Sequence, residues 1–264
     1  MTPPIPTDLP REQVLRVATY NIHKGVQGMG PMSRLEIHNL QQAIRQLDAD
    51  VVCLQEVRKL NRQWERKFND WPRQSQADFL ADTHYQAVYV TNATTKHGEH
   101  GNALLTRGEV ARRQHEDMSD HRFEQRGLLH SELTLRGRCI HVIVVHLGLI
   151  AASRVRQVQQ LIDFVLREIP EDEPLVIAGD FNDWGKRLTR FMDQAGLLCE
   201  HGLPAYRTYP STLPLTQLDF IYYRGLQMLR QFVPQKATLE STTGLRSWAR
   251  LSDHLPLVAD FVLE

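Results

Sequence analysis

Carboxylates, amides and histidines recur in this sequence at or just beyond the ends of short apolar runs. The set comprises Asn21, Glu56, His146, Asp180, Asn182, Asp219, Asp253 and His254. A strand end holds a side chain on a rigid support at the rim of a sheet, where functional sites are commonly built. Because turns would accept serine, glycine or lysine at such places equally well, the repeated choice of these residue types indicates one shared site.

The residue types indicate which chemistry such a site performs. Carboxylate and amide oxygens are hard ligands that suit Mg²⁺ or Mn²⁺ better than zinc. Histidines beside carboxylates supply a base or a stabilising charge near neutral pH. Such a site would polarise a phosphoryl oxygen, orient a water molecule and stabilise a leaving alkoxide. The sequence contains no GxSxG, no GxxxxGK[ST] and no HExxH, which argues against a serine hydrolase, a P-loop nucleotide hydrolase and a zinc hydrolase.

Alternating and apolar runs predict the strands that position these residues, and longer amphipathic runs predict two helices. The predicted strands cover 14–22, 50–57, 84–90, 102–107, 127–135, 138–148, 174–181, 218–225 and 255–263. The first helix is predicted over 33–48, opened by a capping box of Ser33 and Glu36, with Leu35 on its apolar stripe. The second is predicted over 153–169, with an inward stripe that includes Val155 and Leu166.

The order of these elements predicts one catalytic domain over residues 13–264 after a flexible Pro-rich tail over residues 1–12. The strands are too many for a simple doubly wound sheet, and several follow one another without a helix between them. A mixed sheet system with helices outside it fits this order better.

Composition narrows the function class further. The 264 residues carry 31 basic and 31 acidic side chains, so the formal net charge is zero, unlike a dedicated nucleic-acid coat or polybasic membrane binder. The three cysteines form no CxxC pair, so neither a disulfide framework nor a zinc site is predicted, and Cys53 and Cys139 are interpreted as small core residues. Without a secretory signal pattern or a long apolar run, a cytoplasmic location is expected.

Eight short motifs follow one another over residues 16–263, namely TYNIHKG, CLQEV, HGNALLTR, QRG, VVHLG, AGDFNDW, LDFIYY and SDHLP. In this order they resemble the motifs of the endonuclease/exonuclease/phosphatase superfamily, which includes deoxyribonuclease I. The combination of GDFN with a C-terminal SDH is specific, whereas either alone is weak. The resemblance implies an α/β four-layer sandwich, in which two mixed β-sheets pack face to face with helices on the outer faces. It also implies a Mg²⁺-dependent phosphoesterase, with Mn²⁺ as a substitute ion.

The same resemblance assigns roles to individual positions. Glu56 resembles the main metal carboxylate, with Asn21 and Asp253 near the same ion. The remaining positions match the residues that activate water or contact the phosphate, namely Asp180 for the water, Asn182, Arg126 and His254 for the phosphate, and Asp219 for holding the ring of His254. His146 matches a histidine of the deoxyribonuclease, sphingomyelinase and 5-phosphatase branches. Its supporting group is left open between Glu99 and His100.

The substrate class stays open at this point. A phosphodiesterase with a nuclease-type substrate is favoured, and a phospholipid headgroup or a small phosphorylated alcohol are the alternatives. A non-catalytic binding module on the same fold is a different class, and the presence of Glu56, Asp180 and His254 argues against it. A monomer without a stable protein partner is expected.

Four segments each admit more than one interpretation. Residues 58–73 predict a helix with a solvated basic face and its aromatic side chains in the core, or a basic and aromatic surface for nucleic acid or lipid headgroups. Residues 92–101 are interpreted as a plain mobile loop. The alternatives are a loop that lies over the active site or a secondary metal site. Residues 207–215 either shape a substrate groove or only connect strands. His23 and Lys24 either reach the substrate phosphate or cap a turn.

Overall fold

The computed structural model describes residues 9–28, 30–200, 206–234 and 247–263. Its strands are β1 Val14–Asn21, β2 Val26–Gln27, β3 Arg34–Leu35, β4 Val51–Asn61, β5 Gln86–Thr95, β6 Gly98–Thr106, β7 Glu109–Asp117, β8 Gly127–Leu135, β9 Arg138–His146, β10 Leu175–Asp180, β11 Leu198–Cys199, β12 Asp219–Arg224, β13 Gln227–Phe232 and β14 Leu257–Val262. Its α-helices are α1 Ile37–Leu47, α2 Arg62–Lys67, α3 Gln76–Ala81, α4 Ala151–Glu168 and α5 Thr189–Gln194.

The long strands form two six-stranded mixed sheets. The first sheet has the order β13-β14-β1-β4-β6-β5 and the second has the order β11-β12-β10-β9-β8-β7. Within each sheet one central pair is parallel, β1 with β4 and β9 with β10, and the other pairs are antiparallel. The parallel pairs bring the carboxyl ends of two strands to the same edge of each sheet.

Apolar side chains form three clusters, one between the two sheets and one on each outer face. The cluster between the sheets includes Val17, Val142 and Val144, whereas Ile143 and Val145 face the helices α4 and α5 on the other side of β9. This alternation follows from the two-residue period of a strand. Helices α1 and α3 cover the outer face of the first sheet. The four-layer α/β sandwich is therefore confirmed.

Both predicted helices differ in detail from the structure. Helix α1 has Glu36 as its N-cap and starts at Ile37, so the capping box on Ser33 is wrong. The Ser33 hydroxyl instead donates to the Gly30 carbonyl at 2.7 Å, because the next two residues are extended in β3. In α4, Val155 and Leu166 are 39% and 63% exposed rather than inward, since the buried stripe lies one position away on the helix.

Three of the four edges of the six-stranded sheets, β7, β11 and β13, were not predicted from the sequence, and two of them are long strands. The edge strand β7 is mostly exposed and charged, and β13 forms the opposite edge of the other sheet with a bulge in its pairing. Neither buries a continuous apolar face, so the hydrophobic alternation that marks a strand is weak in both. Residues 92–101, predicted as a loop, lie mainly in the β5–β6 hairpin, which turns between Thr95 and Gly98.

The 58–73 segment also differs from the favoured prediction. Strand β4 continues to Asn61, and α2 is only a short helix, capped by the Asn61 side chain, which accepts from the Trp64 amide at 2.9 Å. Trp64 and Phe68 are half-buried at the surface instead of lying in a core. Their rings stack with centroids 5.4 Å apart.

The amino-terminal end of the described chain is attached to the first sheet. Arg11–Gln13 forms a single 3₁₀ turn, and the Arg11 guanidinium contacts the Asp50 carboxylate at 2.9 Å. Residues 1–8 of the predicted tail lie outside the described residues. No helix within the described ranges combines the length and the hydropathy that a membrane span requires.

Candidate active site

The strand ends bring the predicted site residues to one edge of the sandwich. Asn21 ends β1, next to the parallel strand β4 that carries Glu56. His146 ends β9 and pairs in register with Asp180 at the end of β10, which in turn pairs with Asp219 at the start of β12. The two parallel pairs thus place carboxyl ends of both sheets at the same edge, as predicted from the positions of these residues in the sequence.

A β-bulge aims the Glu56 side chain. The pairing of β4 with β6 shifts between Leu54 and Val57, so Gln55 and Glu56 together oppose one residue of the partner strand. Glu56 has a φ of 56°, in the left-handed region that residues other than glycine rarely adopt. Bulges and strained backbone are concentrated at functional sites, because they redirect single side chains.

A glycine allows the close approach of β10 to β9 just before Asp180. A Cβ on Gly179 would collide with the carbonyl oxygen of Val145. The glycine of the GDFN motif is therefore required by packing, and it sets Asp180 beside His146. Asn182 follows with a φ of 49°, and its backbone amide donates to Asp180 Oδ1 at 2.9 Å, which fixes the carboxylate.

Asp180 lies between two histidines. His146 Nε2 and His254 Nε2 are each 3.6 Å from Asp180 Oδ2. The other nitrogen of His254, Nδ1, donates to Asp219 Oδ2 at 2.8 Å, so Asp219 holds the ring with Nε2 directed at Asp180. All four side chains are buried.

The two histidines have opposite electrostatic environments. Burial lowers the pKa of His254, but the charges of Asp219 and Asp180 outweigh this and raise its pKa to about 10. Burial and the charge of Arg126 lower the pKa of His146 to about 4, against the opposing effect of Asp180. Burial also raises the pKa of Asp180 itself. Titratable groups whose pKa values are shifted in opposite directions can take the separate acid and base roles of a site.

Glu56 and Asp253 form the second half of the site, and each faces a cationic side chain. Lys24 Nζ lies 2.9 Å from Glu56 Oε2, and His23 Nδ1 lies 3.0 Å from Asp253 Oδ1. Burial raises the pKa of Glu56, but the Lys24 charge outweighs this and holds its pKa well below the ordinary range. Burial also raises the pKa of Asp253, and the contact with His23 reverses this shift. Both carboxylates therefore stay ionised.

His23 and Lys24 reach the site through an unusual backbone. Their φ values are 44° and 60°, both left-handed. The His23 amide donates to Asn21 Oδ1 at 3.1 Å, which ties the turn to the end of β1. These two residues are thus part of the site, facing its carboxylates.

The carboxylates fit a divalent cation. Glu56 Oε2 is shielded from solvent, and its close ionic neighbour is the Lys24 ammonium. An ionised, buried oxygen of this kind is suited to a hard cation. Asn21 lies beside it, but its amide nitrogen donates to Asp180 Oδ2 at 3.1 Å and faces Glu56 Oε1 at 3.4 Å. In this orientation Asn21 positions carboxylates, and its role as an oxygen ligand stays a prediction.

Two of the three predicted phosphate contacts, Asn182 and Arg126, are engaged in hydrogen bonds within the protein. The Asn182 side chain donates to the Leu147 carbonyl at 3.0 Å. The Arg126 guanidinium donates to the same carbonyl at 3.2 Å and to Glu124 Oε1 at 3.1 Å. Both lie next to the loop that follows His146, and their contact with a phosphate stays a prediction.

Neither predicted supporter of His146 has a hydrogen bond to it in the described residues. Glu99 accepts from the Thr91 hydroxyl at 2.8 Å, away from the histidine. His100 belongs to the cleft: burial and the charge of Lys24 lower its pKa to about 4, so it is neutral there. The ionic neighbour of His146 is Asp180.

The 206–216 loop is attached to the site. Ser211 donates its amide to the Asp253 carbonyl at 2.7 Å, and the Leu255 amide donates to the Thr208 carbonyl at 2.8 Å. The Tyr209 ring packs 5.0 Å from the His254 ring, and the Trp184 ring packs 5.5 Å from Tyr209. The loop therefore shapes the groove as well as connecting strands.

Trp184 was not predicted as a site residue. It is 53% exposed, although its ring is anchored on Tyr209. Its neighbour Asp183 has a structural role, because its carboxylate accepts from the Arg187 and Leu188 amides at 3.0 and 2.8 Å. A tryptophan directly after a site motif was the available signal in the sequence.

A second aromatic surface lies on the Glu56 side of the cleft. The Arg58 guanidinium is 5.6 Å from the centroid of Trp64, and Lys67 Nζ is 5.0 Å from it. The charge of Glu56 acts on Arg58 and opposes the lowering of its pKa by burial, so this surface lies near the Glu56 carboxylate.

Comparison with known proteins identifies the family. The model of the Endonuclease/Exonuclease/phosphatase family matches residues 18–254. The uncharacterized protein YbhP of Escherichia coli (strain K12) is 38% identical over 256 residues, which cover 94% of this chain and 96% of that protein.

Two solved structures show the same fold. An endonuclease/exonuclease/phosphatase from Beutenbergia cavernae aligns with a TM-score of 0.71 at 19% identity, over 95% of this chain and 72% of that one. The human nocturnin catalytic domain with bound sulfate aligns with a TM-score of 0.65 at 19% identity, over 96% of this chain and 95% of that one. The chain therefore belongs to the Endonuclease/Exonuclease/phosphatase family, whose members hydrolyse phosphoester bonds.

Proposed function

We propose that this protein is a Mg²⁺-dependent phosphodiesterase that hydrolyses its substrate by direct attack of water, with a nucleic acid as the favoured substrate. The observation that carries the proposal is the placement of Asp180 between a neutral and a protonated histidine, beside the ionised carboxylates of Glu56 and Asp253. One half of the cluster handles protons, and the other half holds a cation.

Asp180 is the group that orients and deprotonates the attacking water. Its Oδ1 is held by the Asn182 amide, and burial raises its pKa, which makes the carboxylate a stronger base towards the water. The His254 imidazolium, held by Asp219, stabilises the negative charge that develops on the phosphoryl oxygens. His146 stays neutral and positions the same water or oxygen through Nε2.

Glu56 and Asp253 would hold the divalent ion, with Asn21 fixing the orientation of Glu56. When bound, Mg²⁺ supplies electrophilic stabilisation of the phosphoryl oxygen and the leaving alkoxide. Lys24 and His23 stand beside these two carboxylates and limit their mutual repulsion in the cation-free protein.

Two aromatic surfaces favour a nucleic acid over a lipid headgroup or a small ester. Trp184 extends from the His254 side of the cleft, and Trp64 with Phe68 lies on the Glu56 side under two cationic side chains. Aromatic rings interleaved with cations bind single strands by stacking and charge, at about 1–3 kcal/mol per stacked base. A substrate with bases on both sides of the scissile phosphate uses both surfaces.

The test is hydrolysis of a substrate panel by wild type and His254→Ala in Mg²⁺ and in Mn²⁺. The panel contains single- and double-stranded DNA, RNA, sphingomyelin, lysophospholipids and bis-p-nitrophenyl phosphate. We expect metal-dependent hydrolysis that His254→Ala abolishes, with single strands as the best substrates. Metal-independent hydrolysis, or none of any ester, contradicts the proposal.

Trp184→Ala and Trp64→Ala separate the substrate classes. Each should raise the KM for single strands by roughly 5- to 100-fold, the equivalent of one lost stacking contact, and leave bis-p-nitrophenyl phosphate hydrolysis near wild type. Phe191→Ala is the matched control, because Phe191 also has an arginine over its ring, at 4.8 Å, but packs on the helix-side core. Faster turnover of a lipid than of any nucleic acid assigns the alternative substrate.

A further inference from the structure

A second cluster of metal-binding side chains lies at the other end of β9 from the active site. Cys139 and His141 stand on the same face of β9, and Glu173 reaches them from the loop before β10. One ligand atom of each, the thiol sulfur, a ring nitrogen and a carboxylate oxygen, lies within 4.8 Å of the other two. Glu132, paired with His141 in register on β8, brings its Oε1 to 3.8 Å from the Cys139 sulfur.

A buried chain of hydrogen bonds fixes the tautomer of His141. The Gln114 Nε2 donates to the Glu168 carboxylate at 2.9 Å, which orients the amide and leaves Gln114 Oε1 as an acceptor. This oxygen lies 2.9 Å from His130 Nδ1, and His130 Nε2 lies 2.9 Å from His141 Nδ1. His130 therefore carries its proton on Nδ1, and its Nε2 accepts from His141 Nδ1.

The direction of this chain depends on His130 being neutral, which its surroundings require. It is fully buried, with the Phe164 ring 5.6 Å away and the His141 ring stacked at 5.2 Å. A charged imidazole in such a place would lack a paired carboxylate.

The consequence lies at His141 Nε2. Nδ1 carries one ring proton, and Nε2 is in close contact with the Glu173 carboxylate. A lone pair and a carboxylate oxygen repel each other unless a proton or a metal cation stands between them. The nearby Cys139 sulfur and Glu132 oxygen are further ligand atoms. A proton between His141 and Glu173 would leave them unused, whereas a metal ion would coordinate them.

We propose that Cys139, His141, Glu173 and Glu132 form a closed binding site for a transition-metal ion of the zinc type, separate from the catalytic cleft. Sulfur, nitrogen and two carboxylate oxygens form a borderline donor set that prefers Zn²⁺ or Co²⁺ to Mg²⁺. His141 also has the outer hydrogen bond that orients most metal-binding histidines. The ion would join the β8–β9 hairpin to the loop before β10.

The surroundings of Cys139 are compatible with this role. The thiol is partly exposed and forms part of the wall of an open groove of about 490 Å³, which gives an ion access. Burial and the charges of Glu132 and Glu173 raise the pKa of the thiol, so it is protonated in the metal-free protein. Ion binding would release this proton to solvent.

The test is a Co²⁺ titration of the reduced, chelator-treated full-length protein in excess Mg²⁺, so that the hard-oxygen cleft is occupied. We expect one equivalent of Co²⁺ to produce the near-ultraviolet charge-transfer absorption of a cobalt–thiolate bond, and Zn²⁺ to displace it. Metal analysis of the protein purified without chelator should show zinc near one equivalent.

Variants locate the site. Cys139→Ser should abolish the absorption and weaken Zn²⁺ binding by at least about 100-fold, and His130→Asn should weaken binding by about 10- to 100-fold. Glu173→Gln is a second variant in case Cys139→Ser fails to fold. It keeps the thiol and should weaken Zn²⁺ binding at least about 10-fold. Cys199→Ser is the matched control and should bind as wild type does. An absent band in wild type, or an unchanged band in Cys139→Ser, overturns the proposal and assigns His141 and Glu173 as an imidazolium–carboxylate pair.

Discussion

The two ends of strand β9 carry similar residue types in opposite electrostatic arrangements. At its carboxyl end, His146 and Asp180 meet His254, which two carboxylates keep protonated. At its amino end, the buried chain through His130 fixes a proton on Nδ1 of His141, and its Nε2 faces Glu173. His141 and His146 are five residues apart, about 17 Å along the strand.

The difference shows that histidine chemistry depends on what holds the second ring nitrogen. A carboxylate on Nδ1, as for His254, makes the ring a cation that stabilises negative charge. A neutral histidine acceptor on Nδ1, as for His141, leaves Nε2 available as a ligand. The first arrangement is suited to catalysis with a hard ion nearby, and the second to holding a softer ion.

Removing Glu56, the proposed metal ligand of the cleft, should have the largest effect. We expect Glu56→Ala to lower phosphodiester hydrolysis in Mg²⁺ by about 10³-fold or more, because several kcal/mol of transition-state stabilisation by the cation are lost. Steady-state kinetics measures the loss of hydrolysis, and titration calorimetry measures the loss of Mg²⁺ binding. Glu65→Ala, on the surface of α2, is the control, and wild-type turnover by Glu56→Ala rejects the site.

The charge on His254 can be removed through its partner. Asp219→Asn should lower kcat by about 10²-fold. Since the carboxylate raises the pKa of His254 towards about 10, its loss should move that pKa down towards the ordinary value of 6.5. Histidine NMR titration of the metal-free protein measures the shift. An unchanged pKa would mean that Asp219 does not control the charge on the ring.

The two ends should respond to metals independently. Zn²⁺ at about 100 times its Kd should raise the Tm of the Mg²⁺-loaded protein by roughly 5 °C, an effect absent in Cys139→Ser. Hydrolysis by Cys139→Ser should stay within about twofold of wild type. Calorimetric melting and the same kinetic assay test this, and a rate that follows zinc occupancy would join the two ends into one functional unit.

Removing the cation beside the Glu56 carboxylate should have the smallest effect. Lys24→Gln removes an ammonium 2.9 Å from Glu56 Oε2, in a partly exposed pair worth about 1 kcal/mol. We expect Mg²⁺ to bind roughly fivefold more tightly, as measured by calorimetry. Weaker Mg²⁺ binding would show that Lys24 orients Glu56 rather than competing with the cation.

Much of the catalytic cleft could be predicted from the sequence, because strand ends and short motifs carry it. Asp180 with His254 and Asp219 assemble as their places in GDFN, SDH and LDF predict. Edge strand β7 was missed because its apolar face is weak, and the start of α1 was missed because the residues before it pair in β3 instead. Both outcomes are decided by neighbours distant in sequence. Trp184 was missed because exposure of a tryptophan is set by loop packing.

The amino end of β9 shows most clearly what could not be predicted from the sequence. Cys139 was interpreted as a core residue from its apolar neighbours, yet it is partly exposed beside two carboxylates. The sequence by itself determined the family, the four-layer fold and the catalytic residue types, since these depend on local pattern and on motif order. Only the tertiary structure decided the opposite pKa shifts of His146 and His254, the place of His23 and Lys24 against the cleft carboxylates, and the meeting of Cys139, His141 and Glu173. Those properties depend on contacts between residues far apart in the chain, in a buried environment where charge and hydrogen-bond direction are set by the partners.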